Sequence, residues 1–102
     1  MERPVAQGIV IASLKEVFAQ SGQPEPAGVT DDTVLVGSDA VLDSLGVVSL
    51  IVEIEQRVEG EHSVSVTLAN DKAMSQRNSP FRTVGVLSDH VVAMVLEARA
   101  AS

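Results

Sequence analysis

Residues 44–58 read SLGVVSLIVEIEQRV, and this stretch constrains the fold more than any other. Val48, Ile51, Ile54, Glu55 and Val58 recur at helical spacing, with Leu50 flanking. The spacing predicts a helix with a mostly aliphatic core face. Glu53, Gln56 and Arg57 take the other side, Glu59 stands at the end, and Gly60 is the expected stop. Two other segments carry matching patterns. Val10, Leu14, Val17 and Phe18, with Ile11 at the edge, predict a helix that starts near Pro4 and stops at Gly22. Val84, Leu87, Val91, Met94 and Val95 predict a last helix with Thr83 as its N-cap.

These faces must be covered by aliphatic side chains. Hydrophobic residues make up 45% of the 102, yet Phe18 and Phe81 are the only aromatics. Residues 23–42 form a long connection rich in proline, glycine and aspartate, in which Val34, Leu35 and Val36 are expected to anchor the loop to the core. Long loops in small domains are often functional. Val64, Val66 and Leu68 alternate with Ser63, Ser65 and Thr67, which predicts extended chain packed at one edge. Asn70 or Asp71 is placed to cap a short third helix through Met74, and the Ala-rich tail from 98 to 102 is expected to fray. The fold class expected is all-α: a small antiparallel bundle of three main helices plus one short helix, with a long loop between the first and second. One domain spans residues 1–102.

The formal net charge of -7 repels phosphate backbones and anionic lipids, which argues against nucleic acid as a partner. It favours partners with basic docking patches. The absence of cysteine excludes disulfides, thiolate catalysis and cysteine-ligated zinc. Asp31 and Asp32, or Asp39 and Asp43, match no established metal loop, so no metal is expected. His62 and His90 read as surface residues. The N-terminal segment lacks the basic start and cleavage site of a secretory signal, and Ser13, Lys15 and Glu16 interrupt it too early for a membrane span. A cytoplasmic monomer without membrane insertion is the expectation.

The flexible-looking loop ends in Leu42-Asp43-Ser44-Leu45-Gly46, where the second helix begins. A helix start offers unpaired N–H groups and a positive dipole end, and both favour a phosphate group. Ser44 is thus well placed to carry a phosphodiester. Simple N-capping by serine or aspartate is the plainer explanation of the same residues. Ser49, one turn on, is a poorer candidate because a helix interior has no free amides.

The stretch LDSLGVVSLIVEIEQRV resembles the modification loop and second helix of acyl carrier proteins, and FRTVGVLSDHVVAMV resembles the start of that family's last helix. With the first helix and the long loop, the resemblance spans about residues 9–95. It implies an acyl-carrier-like fold in which Ser44 holds a covalent 4'-phosphopantetheine cofactor. A phosphopantetheinyl transferase would donate it from coenzyme A. The arm's thiol would hold an acyl group as a thioester and present it to acyl-loading and acyl-transferring enzymes of fatty-acid, lipid or polyketide-type biosynthesis. The chain would then be a carrier and not an enzyme. The resemblance also implies that Asp43 and Leu45 are read by partners. The alternatives are dipole compensation for Asp43 and core packing for Leu45. Glu53, Glu55 and Glu59 are candidates for guiding basic partners, weighed against an ordinary solvated face. Glu55, near the core face, is expected to pack its stem and leave its carboxylate in water.

Departures from the pattern point to a specialised carrier. Gly46 and Ser49 stand where the family is often acidic, Gly-Ser-Asp-Ala-Val-Leu precedes Asp43, and the linker from 61 to 80 is long. The small aliphatic core suggests room for part of an acyl chain. The rival readings are a peptidyl or aryl carrier and a helical adaptor with no prosthetic group.

Overall fold

A computed structural model of the chain describes residues 1–24, 28–36, 40–69 and 80–101, apart from the side chain of Ser44. Three helices form: α1 (Arg3–Ser21), α2 (Ser44–His62) and α3 (Val84–Ala101). The described residues contain no strand, only one antiparallel bridge between Val34 and Thr83. The expected short helix at 70–74 lies outside the described residues.

α1 is the central element and packs against both α2 and α3. Val10 and Leu14 from α1, Leu50, Ile54 and Val58 from α2, and Leu87, Val91 and Val95 from α3 are all buried in one cluster. Removing such a side chain from water contributes about 1.5–3 kcal/mol. Gly22 stops α1 as expected. It takes a left-handed conformation at φ 73°, which glycine adopts without steric cost, and the Gly22 and Gln23 amides donate to the carbonyls of Ala19 and Phe18.

Two boundaries and one helix face differ from expectation. α2 runs through Gly60 to His62 and ends where Ser63 turns left-handed at φ 56°. A single interior glycine costs only about 1 kcal/mol, and nothing crowds this one. The tail expected from Ala98 onward is helical as far as Ala101. The core face of α2 is also rotated: Leu50 is central to it, Ile51 is half-buried, and Val48 points outward.

The starts of α1 and α3 lie side by side. The Arg3 guanidinium donates to Asp89 (2.6 Å), to the Gly85 carbonyl (3.1 Å) and to Asp31 (3.3 Å). The Asp89 hydrogen bond raises the pKa of Arg3, outweighing desolvation, so it stays charged.

The long loop is fastened to the start of α3. The Val84 and Gly85 amides donate to the carbonyls of Thr33 and Asp31, the Val86 amide to Thr83 Oγ1, and the Leu87 amide to the Thr83 carbonyl. The amides of Val84, Gly85 and Val86, which have no partner within the helix, are thus satisfied, and Thr83 caps as expected. Leu35 is the loop's buried anchor, while Val34 is half-buried and Val36 exposed.

After Ser63 the chain runs without regular structure and bends at Leu68 and Ala69; Val64 and Val66 are half-buried, Leu68 is buried, and Ser63, Ser65 and Thr67 are exposed. Leu68 ties α2 to α3. Its amide donates to Glu55 Oε2 at 2.9 Å, and its carbonyl accepts from His90 Nε2 at 2.8 Å. The carbonyl can only accept, which fixes the proton on that nitrogen. The His90 ring also meets Phe81 edge to face, with centroids 5.7 Å apart. His90 is therefore a structural strut and not a free surface residue. The Glu55 carboxylate is likewise engaged with the backbone instead of standing in water.

Candidate functional site

The start of α2 contrasts with that of α3. Asp43 is the N-cap: its Oδ1 accepts from the Gly46 amide at 2.7 Å, and its carbonyl accepts from Val47. The amides of Ser44 and Leu45 have no partner among the described residues. Ser44 is the first helical residue and not the cap. Of the two residues that simple capping allowed, Asp43 is the one whose side chain caps the helix, so the plainer explanation holds for Asp43. The Ser44 side chain itself lies outside the described residues.

Gly46 permits close packing here. A Cβ on it would come within 3.1 Å of Leu42 Cδ2 and 3.2 Å of Asp43 Oδ1. Its bare backbone lets the turn at 42–43 close against the first turn of α2. The result is a half-open groove of about 520 Å³ between the last turns of α1 and the first turns of α2. Val17 and Phe18 form one wall, Val41 and Leu42 another, and Asp43 and Leu45 border it on either side of Ser44.

Leu45 is 74% exposed, so core packing does not explain it. Val48 (57%) and Val52 (45%) are exposed as well. These three residues, spaced i, i+3 and i+7, make one apolar stripe on the outer face of α2. Sequence reasoning missed it by assigning Val48 to the core. The helical spacing that starts at Leu45 was the available signal.

The two glutamates proposed for recognition are not gathered with this stripe. Glu53 lies about 80° around the helix from Leu45 and pairs with Arg57 at 3.3 Å. Glu55 is engaged with Leu68. The structure brings together Asp43, Leu45, Val48, Val52 and the backbone of Ser44. Among the described residues, no three His, Asp or Glu side chains are placed to hold a metal, and no helix is long and apolar enough to cross a membrane.

Compared with known proteins, the chain matches no family model, no curated protein and no solved structure.

Proposed function

We propose that the chain is an acyl carrier protein with Ser44 as the anchor of a 4'-phosphopantetheine arm. The observation that carries this reading is the division of labour at the start of α2. Asp43 caps the helix, so Ser44 is not needed for capping, while two backbone amides beside it stay without a described partner. These amides and the helix dipole favour a phosphodiester at this position. In the modification step the Ser44 hydroxyl oxygen bonds to the phosphorus next to pantetheine in coenzyme A. The bond from that phosphorus to the adenosine 3',5'-bisphosphate breaks, and the hydroxyl proton passes to a base on the transferase. The arm, once attached, supplies a terminal thiol for thioester chemistry. The exposed stripe of Leu45, Val48 and Val52 suits partners with an apolar pocket, and the chain's net negative charge favours basic groups on them.

Co-expression with a broad-specificity phosphopantetheinyl transferase, followed by intact mass measurement, tests the reading. A phosphopantetheine-sized increment that Ser44→Ala abolishes and Ser49→Ala retains is expected. A chain left unmodified by several transferases would overturn it.

The same stripe favours a second reading, a helical adaptor that binds through α2 and takes no arm. It predicts unmodified mass together with a partner that is lost on Val48→Asp.

A further inference from the structure

We propose that the groove between α1 and α2 seats the neutral body of the phosphopantetheine arm. This rests on the reading of Ser44 as the anchor and goes beyond it by giving the arm a resting place. Size is the first support. The groove's volume of about 520 Å³ lies within the range of roughly 300–1,000 Å³ that holds small organic ligands.

Chemistry is the second. Between its phosphate and its thiol the arm carries a gem-dimethyl group, a hydroxyl and two amides, with no charge. The groove matches that mixture. Val17, Phe18, Val41 and Leu42 offer apolar walls, while Gln20, Ser21 and Ser49 offer amide and hydroxyl groups. The Ser49 hydroxyl has no partner among the described residues, and the Ser21 hydroxyl, which donates to the Phe18 carbonyl, keeps its acceptor capacity. Among the described residues no cation lines the groove, and the charged residue there is Asp43. An anion would be repelled from it. The phosphate therefore stays at the helix start, and the uncharged portion enters.

Position is the third. Asp43 and Leu45 flank Ser44 in the chain, and both border the groove. The arm is thus tethered at the groove's edge. A short flexible tether gives an effective concentration in the mM range, so weak intrinsic affinity is enough to seat the arm. This gives Gly46 and Ser49, which depart from the acidic pattern, a common purpose: a short side chain at both positions leaves the groove open.

The test uses isotope-labelled protein in the unmodified and arm-bearing forms, with intact mass recorded first. The expected result is contacts between the arm's methyl protons and the methyl groups of Val17 and Val41, with shift changes extending to Ser21. Ser49→Trp, which fills the groove, should take the arm to the same mass yet lose those contacts. Ser21→Trp provides the same check from the α1 side. Shift changes confined to residues next to Ser44, with narrow arm resonances, would overturn the groove proposal and leave the carrier reading standing. A chain that gains no mass would overturn both.

Discussion

Two buried serines give the sharpest test of the packing. Ser13 in α1 and Ser88 in α3 are both fully excluded from solvent. The Ser88 hydroxyl donates to the Val84 carbonyl at 2.7 Å, whereas the Ser13 hydroxyl has no partner among the described residues. Alanine at either site gains about 0.5 kcal/mol of helix propensity. Ser88→Ala also loses a satisfied hydrogen bond, worth about 1 kcal/mol net. The Val84 carbonyl is not orphaned, because it keeps its place in the helix ladder. Ser88→Ala should therefore destabilise by about 0.5 kcal/mol, the difference of these two effects. Ser13→Ala removes an unpaired buried hydroxyl, whose desolvation costs at least about 1 kcal/mol. It should stabilise by about 1.5 kcal/mol once propensity is added. The two variants then differ by about 2 kcal/mol, or roughly 1–2 M in urea midpoint for a small domain. Far-ultraviolet circular dichroism is the suitable probe, since the chain has no tryptophan or tyrosine. Equal effects of the two substitutions, or a destabilising Ser13→Ala, would refute the claim that the Ser13 hydroxyl is unsatisfied.

Three further outcomes are expected. Gly85→Ala should cost about 1 kcal/mol net, overpacking of about 2 kcal/mol less about 1 kcal/mol of helix propensity, because its Cβ would lie 3.0 Å from Asp31 Cβ and 3.1 Å from the Asp31 carbonyl oxygen; a thermal melt reads this, and a raised midpoint would count against the loop contact. Glu55→Ala should speed hydrogen exchange at the Leu68 amide by at least about tenfold, the loss of about 1.5–3 kcal/mol for a bond to a charged acceptor, while Glu55→Gln should recover part of the protection. Asp43→Ala should lower stability by about 1 kcal/mol through loss of the cap, whereas Asp43→Asn should hold most of it, as thermal melts of the two variants will report.

Much of the helical layout is legible in the chain. The stop at Gly22, the cap at Thr83 and the stripe from Val84 to Val95 follow from local rules, and the structure keeps them. The boundary at Gly60 was misread because one glycine is a weak stop when no competing conformation is favoured nearby. Of the candidate site, the position of Ser44 at a helix start was legible. The choice of Asp43 over Ser44 as the cap was not, because both residue types cap well.

Sequence alone determined that this chain makes helices and must close them with aliphatic side chains, since periodicity and composition are properties of the chain itself. It did not determine which side of α2 turns inward. The first half of that helix is apolar nearly all round, from Leu45 through Val48 to Val52 on one side and at Leu50 and Ile54 on the other. A helical period cannot set its own phase when both faces are apolar. Packing against α1 selected Leu50, Ile54 and Val58 and left Leu45, Val48 and Val52 outside. The groove and the Leu68 strut arise the same way. Each needs groups far apart in the chain, and only the folded arrangement of the helices brings them within reach of one another.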